Sequence, residues 1–331
     1  MQFVRLILWA LVWLVALIAA LWAFGALYFD FQFATLRLTA AIIFAVLVLG
    51  LLLFLRGGTR KLLAVLCSFL IVLVWWRLAL KPSNNCDWQP DVAETAWADV
   101  NGDEVTFHNV RNCDYRTETD YTPRWDTRTV HLSRMSAVDL AVDYWGSPYI
   151  AHPIVSFQFA DAPAVCFSIE TRKEVGQTYS TIGGLYRQFT LIYIVADERD
   201  VIRVRTNYRK GEDIYLYRLT LSLSQARERF LEYVSSLNEL RDRPCWYNAV
   251  TTNCTTAIRD QHPPHERIPW DWRILVNGKG DELMFERRKL VTGGLSFAEL
   301  KSRSLITGKA RAANDDPEFS KRIREGTPGF P

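Results

Sequence analysis

A single cysteine lies where a polar run meets a short apolar segment, in the stretch from Tyr247 to Arg259, YNAVTTNCTTAIR. Asn253 or one of the threonines can cap a helix here, which would place Cys254 in the first helical turn. The free N–H groups and the positive end of the helix dipole favour a thiolate there. The same N–H groups can hold an oxyanion once sulfur attacks a carbonyl. The pattern predicts a nucleophile, although a small buried cysteine at a helix start has the same sequence.

A histidine precedes this cysteine in a predicted hairpin. Residues 151–170 alternate as two strands around a turn at residues 160–163. Pairing across the turn sets His152 opposite Glu170 or Thr171, depending on a one-residue difference in register. In the first register Glu170 can orient the imidazole and complete a Cys–His–Glu set. In the second register Glu170 points to the other face, so the third member stays open.

Three further residues are candidates for binding substrate or an oxyanion: Asn253, Tyr247 and Arg172. Arg172 can bind an anionic head group or a carboxylate, although a solvated arginine is the simpler interpretation. The sequence His262-Pro-Pro-His265 resembles a metal-ligand pair only superficially, because no cysteine or carboxylate completes a zinc set at a recognised spacing. We therefore predict no metal and no cofactor.

The first 80 residues contain three long apolar runs, Leu6 to Tyr28, Leu38 to Leu55 and Leu62 to Leu80. Each run is long enough to cross the hydrocarbon core of a bilayer. A cleaved signal peptide is a poor explanation for the first run, because its apolar stretch is too long and two more runs follow. The sequence therefore predicts a membrane anchor of three helices and a lipid bilayer as a partner.

The connection between the second and third runs, Arg56 to Lys61, carries three positive charges and no negative charge. The positive-inside rule places this turn in the cytoplasm. The N-terminus is then cytoplasmic, and the chain after Lys81 lies outside the cytoplasm. If the third run did not span, the main domain would stay in the cytosol.

The remaining chain has an ordinary soluble composition. The 331 residues carry a formal net charge of only +3, so charge gives no reason to predict a nucleic-acid partner. We expect three parts: a membrane anchor at 1–81, a periplasmic domain at 82–295, and a polar C-terminal tail at 296–331 whose end is a surface or disordered extension.

Several elements of the soluble part follow from local patterns. Ser222 and Gln225 predict a capping box for a helix that ends near Arg241. Residues 137–145 read as a short helix or an irregular segment. Strands are predicted at these segments: residues 104–110, 189–195, 201–205 and 213–219.

Five cysteines fall in the soluble part, and cysteines outside the cytoplasm can pair. Cys86 and Cys113 are the expected pair, and Cys166 is expected to be a small buried side chain. A disulfide between Cys245 and Cys254 would abolish the proposed nucleophile.

Three motifs resemble the Lnb N-terminal periplasmic domain family: His152 to Phe159, Ser168 to Arg172, and Tyr247 to Thr256. The resemblance covers roughly residues 88–290. It implies an α+β protein in which the three transmembrane helices precede a permuted papain-like (NlpC-like) domain. It also implies thiol acyl transfer, with Cys254 as nucleophile and His152 as base.

These observations predict a membrane-anchored thiol acyltransferase or hydrolase that forms an acyl-enzyme at Cys254. A phospholipid or a lipoprotein is the expected acyl donor, because the anchor would hold the site near the bilayer. A cysteine peptidase or amidase acting on peptide or cell-wall bonds is a close variant. A non-catalytic envelope module for binding or assembly is an alternative of another class.

Overall fold

The computed structural model describes residues 2–265, 267 and 269–330. The chain divides into two compact units. The first consists of Met1–Ser83, Thr178–Thr190 and Trp246–Ala249. The second consists of Asn84–Gln177, Leu191–Cys245 and Val250–Pro331.

The first unit contains the three predicted spans as helices α1 (Gln2–Asp30), α2 (Arg37–Phe54) and α3 (Gly58–Leu78). All three are long and apolar enough to cross a membrane, which confirms the predicted anchor. Small residues lie where the helices meet, since Ala16 and Ala23 are fully buried. Close approach at small residues is how helices associate where no water drives them together.

One loop segment is tied to the helix ends within this first unit. The Arg187 guanidinium lies 3.8 Å from the centre of the Trp76 ring and donates to the Leu80 carbonyl at 3.1 Å. The Asp30 carboxylate accepts from the Arg187 backbone N–H at 3.0 Å and from Trp76 Nε1 at 2.6 Å. One buried carboxylate thus joins α1, α3 and the segment Thr178–Thr190.

The second unit is built on a mixed eight-stranded sheet with the strand order β1-β2-β9-β8-β7-β6-β10, and β5 pairs with β2. β2 and β9 are parallel, whereas β7 is antiparallel to both β6 and β8. A separate two-stranded sheet joins β3 and β4. The strand bounds are β1 Trp97–Asn101, β2 Glu104–Arg111, β3 Asp114–Tyr115, β4 Tyr121–Thr122, β5 Trp125–His131, β6 Met135–Trp145, β7 Ala151–Phe159, β8 Val165–Arg172, β9 Thr190–Ala196 and β10 Glu212–Arg218.

Helices cover both faces of this sheet. Their bounds are α4 Glu198–Val201, α5 Leu223–Asp242, α6 Cys254–Gln261, α7 Gly280–Glu286, α8 Phe297–Ser304, α9 Thr307–Ala312 and α10 Phe319–Arg322, with a π-helix at Val204–Tyr208. On the α5 face, Phe157 of β7 contacts Phe230 of α5 with 5.0 Å between ring centres. On the α10 face, Ile154 of β7 belongs to the core that contains Phe319. Successive residues of β7 therefore point into two different cores.

Helix α5 forms as predicted. Ser222 Oγ accepts from the Gln225 backbone N–H, and the Gln225 side chain accepts from the Ser222 N–H, which completes the capping box. An apolar stripe with helical spacing along α5 is buried: Ala226, Phe230, Val234, Leu237 and Leu240. The stripe packs on the sheet, so the 3.6-residue period was a sufficient signal for this helix.

Two local predictions are wrong. Residues 137–145 belong to strand β6, whose aspartates obscured the pattern because Asp139 and Asp143 are buried against arginines. The segment 201–205 is not a strand, since it joins α4 to the π-helix. Its short apolar run fits a buried helix as well as a strand, and periodicity alone does not separate the two.

The end of the chain is also unlike its prediction. Instead of a surface or disordered extension, it contributes fully buried Phe319 and Ile323 to the α10-face core. Arg324 reaches two buried carboxylates, with Nη2 at 2.8 Å from Asp139 Oδ2 and 2.5 Å from Glu198 Oε1. The second unit is therefore α+β, as predicted, and its last residues are part of its core.

We expect Arg324→Met to lower the free energy of unfolding by about 3–5 kcal/mol, because it leaves two buried carboxylates without their shared cation. Urea unfolding of the detergent-purified protein measures this loss. Arg322→Met is the control, because Arg322 forms exposed ion pairs that contribute about 1 kcal/mol or less. Equal losses in the two variants would contradict the role of Arg324.

Candidate functional site

Cys254 is the first residue of α6, as the sequence predicted. Asn253 is the N-cap, and its Oδ1 accepts from the backbone N–H groups of Thr255 and Thr256 at 3.0 Å each. The Thr256 hydroxyl accepts from the Asn253 N–H at 2.8 Å and closes a reciprocal cap. This local geometry places the thiol at the positive end of a helix dipole.

Asn277 provides a second contact to the thiol that the sequence did not reveal. Its Nδ2 lies 3.7 Å from Cys254 Sγ, and its Oδ1 accepts from the Ala151 N–H at 3.0 Å. Because the backbone of β7 occupies the oxygen, the amide N–H₂ group must face the sulfur. An amide beside a nucleophile is a suitable donor for a developing oxyanion.

Gly278 explains why this contact is possible. A Cβ at this position would lie only 2.4 Å from the carbonyl carbon of Tyr149 and 2.6 Å from the nitrogen of Ile150. The Gly278 N–H donates to the Tyr149 carbonyl at 3.1 Å. The chain at Asn277 can therefore lie directly against the start of β7. An Asn-Gly pair in sequence indicates a turn, and nothing in that pattern shows that it faces a thiol.

The resting thiol is not a thiolate. Burial raises the pKa of Cys254, and the hydrogen bonds from Thr255 and Asn277 oppose the shift without cancelling it. Only 8% of the residue is exposed. The expectation that the helix start lowers the pKa is therefore wrong for the free protein, because loss of water outweighs the dipole.

His152 and Glu170 are brought together through a serine. His152 Nε2 lies 2.7 Å from Ser168 Oγ, and Ser168 Oγ lies 2.7 Å from Glu170 Oε1. Burial alone would raise the pKa of Glu170, but Arg205 and Arg111 hold that pKa well below its usual range. Glu170 is thus an ionised acceptor, so the serine donates to it and accepts from the imidazole Nε2–H.

Two charged groups complete this network. Arg205, in the π-helix, donates to Glu170 at 2.8 Å and lies 3.2 Å from Asp143. Burial and the charge of Arg205 lower the pKa of His152 to about 3, so its imidazole is neutral at physiological pH.

The observed pairing of Ile154 with Ser168 continues to His152 and Glu170, which corresponds to the first of the two predicted registers.

The structure does not bring His152 to Cys254. His152 shares the α10 face of β7 with Ile154 and Ser156, whereas α6 lies on the α5 face. No hydrogen bond joins the imidazole and the thiol of these two described residues. The pleat of one strand separates them, since adjacent residues point to opposite sides of a sheet.

A largely apolar cavity of about 460 Å³ lies on the α5 face beside the thiol. Its lining includes Thr255 and Asn277, the two residues in contact with Cys254 Sγ. Charged residues that include Glu228, Arg259 and Asp281 line part of the cavity. Most of its wall is formed by apolar side chains of β6, β7, α6 and α7: Leu140, Val142, Val155, Phe157, Ile258 and Leu283. The volume falls within the roughly 300–1,000 Å³ of small-molecule sites.

The other predicted binding residues have different surroundings. Arg172 is buried over the Trp88 ring at 4.4 Å and donates to four oxygens, those of Asn84, Val92, Ala93 and Thr95. Only 2% of Arg172 is exposed, so it is not the solvated arginine that the sequence offered as the simpler interpretation. Its role as a substrate-binding residue stays a prediction. The Asn253 side chain is used by the helix cap, as described above.

Tyr247 belongs to the first unit, where its ring lies 6.4 Å from that of Tyr179. Gly184 makes room for it, because a Cβ at position 184 would lie 3.2 Å from the Tyr247 ring. Its role as a substrate-binding residue stays a prediction.

The disulfide predictions can also be compared with the structure. Cys113 is a free thiol packed against Tyr115 and Val204, so the predicted Cys86–Cys113 bond is not formed. Cys245 and Cys254 are both free thiols, so the pairing that would block the nucleophile is absent. Cys166 is fully buried, as predicted.

We expect iodoacetamide to label native Cys254 more slowly at pH 8 than the same cysteine in urea-unfolded protein. The reason is that burial favours the unreactive thiol. Asn277→Ala removes a hydrogen bond that favours the thiolate and should move the pH midpoint of labelling further up. Peptide mass spectrometry quantifies both rates. Faster labelling in the native state at neutral pH would indicate an activated thiolate and contradict this prediction.

We expect His152→Gln to reduce the loss of stability at acidic pH. The unfolded imidazole takes up a proton below about pH 6.5, whereas the folded one stays neutral down to about pH 3. Between pH 7.5 and 5, this difference costs the wild type about 2 kcal/mol of unfolding free energy that the variant retains. Urea unfolding at the two pH values measures it, and an identical pH dependence would refute the assignment.

Comparison with known proteins places this site in a family. Residues 121–278 match the Lnb N-terminal periplasmic domain, a segment that includes His152, Glu170, Cys254 and Asn277. No curated protein and no solved structure matches the chain. The segment that matches the Lnb N-terminal periplasmic domain therefore contains this site, and it follows three helices that are long and apolar enough to cross a membrane.

Proposed function

We propose that this protein transfers or hydrolyses acyl groups through a thioester at Cys254, and that phospholipid or lipoprotein acyl groups are its substrates. The observation that carries the proposal is the position of the thiol, at a helix start and beside an apolar cavity of about 460 Å³. An apolar chain in the cavity would place its carbonyl carbon near the sulfur. A membrane anchor favours a substrate that resides in the bilayer.

The chemistry is a two-step exchange. Cys254 Sγ attacks the ester carbonyl, the bond to the leaving alcohol breaks, and the thiol proton leaves with that alcohol. An amine or water then attacks the thioester, releases an amide or a carboxylic acid, and restores the thiol. Asn277 Nδ2 is a donor available to the oxyanion, whereas the N–H groups of Thr255 and Thr256 at the start of α6 are already bonded to Asn253 Oδ1.

His152 and Glu170 have a positioning role in this proposal. Their network with Ser168 and Arg205 holds β7 and β8 in register on the α10 face. Ala151, next to His152 and in the same strand, holds Asn277 against the thiol. The predicted role of His152 as base requires its imidazole to reach the other face of the sheet, so His152→Gln tests that role directly.

The orientation in the membrane is also part of the proposal. The basic turn Arg56 to Lys61 favours a cytoplasmic N-terminus, with the domain in the periplasm of a bacterial inner membrane. The name of the matching family agrees with that placement.

A second candidate function is a module that binds an apolar ligand without reacting with it. The raised pKa of Cys254 and the distant face of His152 favour this alternative, because neither arrangement activates a nucleophile. The same cavity would serve both functions. A peptidase or amidase is less well supported, since the walls of the cavity are mostly apolar.

We expect a fatty-acyl mass on the Cys254 peptide after detergent-purified protein is incubated with phosphatidylethanolamine and phosphatidylglycerol vesicles. Intact and peptide mass spectrometry detect the adduct, and Cys254→Ala should not form it. Ile258→Trp fills part of the cavity and should slow acylation by long chains more than by a short-chain ester.

The outcomes separate the candidate functions. Phospholipid that copurifies without any covalent adduct would favour the binding module over the enzyme. An adduct in His152→Gln at the wild-type rate would support the positioning role, whereas loss of the adduct in a folded variant would make His152 the base. Reaction with peptide substrates but not with lipids would favour the peptidase variant.

A further inference from the structure

The second unit exposes several large apolar side chains close to the cavity. Trp270 and Trp272 are 62% and 60% exposed, and Leu275, Tyr149 and Ile150 are exposed as well. A single exposed apolar residue is ordinary, whereas a group of them indicates a surface that binds a protein or a membrane. We call these five residues the aromatic patch.

The local backbone groups three of these side chains together. Asp271 is extended, with φ −137° and ψ 140°, so its neighbours Trp270 and Trp272 project to the same side. A 3₁₀ turn begins at Trp272, and in it the Leu275 N–H donates to the Trp272 carbonyl at 3.0 Å. Side chains three residues apart eclipse in such a turn, so Leu275 lies beside Trp272.

A second loop contributes the other two members of the patch. The Gly278 N–H donates to the Tyr149 carbonyl at 3.1 Å, and the Lys279 ammonium lies 5.9 Å from the centre of the Tyr149 ring. Tyr149 and the adjacent Ile150 are therefore held against the segment that carries the two tryptophans.

The same segment forms part of the cavity wall. Ile274 is buried and lines the cavity, although it lies in sequence between the exposed Trp272 and Leu275. Arg259 also lines the cavity, and its guanidinium lies 4.8 Å from the centre of the Trp270 ring. The patch and one wall of the cavity are thus two sides of one short segment.

The chemistry of the patch favours a lipid bilayer as its occupant. Tryptophan and tyrosine prefer the membrane–water interface, because their apolar rings carry a polar N–H or O–H group. Arg259 and Lys279 lie over two of the rings and can keep their charges at the depth of the head groups. Each cation has a carboxylate nearby, Asp260 at 3.6 Å and Glu282 at 3.3 Å, so the patch does not require an anionic surface.

The chain also keeps a bilayer within reach of the patch. Residues 79–83 connect the end of α3 to the start of the second unit. An extended chain covers at most about 3.6 Å per residue, so this connection spans no more than about 20 Å. A bilayer crossed by α3 is therefore close to the second unit at all times, which is not true of a partner protein in solution.

We infer that the aromatic patch of the second unit inserts into the interface of a lipid bilayer. This contact is separate from the three helices of the anchor, and it does not depend on acyl transfer at Cys254. The segment that walls the cavity then lies at the lipid surface, where acyl chains are available to the site.

Full-length protein in phosphatidylcholine nanodiscs tests the inference with two probes. Hydroxyl radicals label side chains from water, and a phosphatidylcholine with a diazirine on its acyl chain labels them from lipid. Peptide mass spectrometry quantifies both. We expect Trp270 and Trp272 to oxidise several times more slowly than Trp125, and their peptide to carry the lipid label. Exposure alone predicts the opposite order, because Trp125 of β5 is only partly exposed.

Trp272→Glu separates insertion of the patch from mere proximity to the anchor. A carboxylate at this position opposes insertion, so the peptide should lose its lipid label and Trp270 should oxidise faster. Val100→Glu is the matched control, because Val100 of β1 is exposed and lies outside the patch. It should leave both labels unchanged. A lipid label that persists in Trp272→Glu would show that the anchor alone brings lipid to this segment, and the inference would be wrong.

Three other results would overturn the inference. Fast oxidation of Trp270 and Trp272 would show that the patch faces water. Slow oxidation without a lipid label would show that a protein covers it, either a second copy of this chain or another partner. Loss of the lipid label at high salt would show that charges and not the rings hold the surface to the bilayer. No readout requires acylation, so each result leaves the proposed chemistry of Cys254 to its own test.

Discussion

The alternation of side chains along β7 is the constraint on which the rest of the second unit depends. This strand is buried on both sides, with Phe157 in the core beneath α5 and Ile154 in the core beneath α10. Each residue of β7 therefore points into one of these two cores, and the next residue points into the other. Register in such a strand is strongly specified, because a one-residue slip would exchange the two cores.

This constraint divides the polar chemistry of the domain. The α10 face holds an ionic network in which Arg205 lies between Glu170 and Asp143, and His152 joins Glu170 through Ser168. The α5 face holds a neutral thiol, an amide and an apolar cavity. Buried charges need partners, whereas a site for an apolar chain needs walls that are mostly apolar, as those of this cavity are. The sheet separates the ionic network from the cavity. Ala151 and His152 are adjacent in sequence, but His152 belongs to the network and Ala151 binds Asn277 on the cavity side.

The thiol illustrates a competition between two physical effects. A helix start favours the thiolate, and burial beneath a cavity disfavours it. Burial has the larger effect on the pKa of Cys254 in the free protein, so the thiol stays protonated until a substrate binds. Donors aimed at the carbonyl oxygen then matter more than an activated sulfur. Asn277 is such a donor, and it comes from a segment remote in sequence from Cys254.

The sequence by itself determined the local features. Uninterrupted apolar runs identified the three membrane helices, since length and hydropathy decide that outcome. Ser222 and Asn253 identified helix starts, because caps depend on residues only three positions apart. The turn identified the β7–β8 hairpin, and the three motifs predicted the family model that matches residues 121–278.

Only the tertiary structure decided which groups meet. It placed His152 and Cys254 on opposite faces, buried Arg172 among carbonyls, and brought Asn277 to the thiol through the close approach at Gly278. It also drew the polar C-terminal residues into the core through Arg324. These outcomes depend on contacts between residues far apart in the chain, and no local spacing encodes which face of a sheet a distant helix covers.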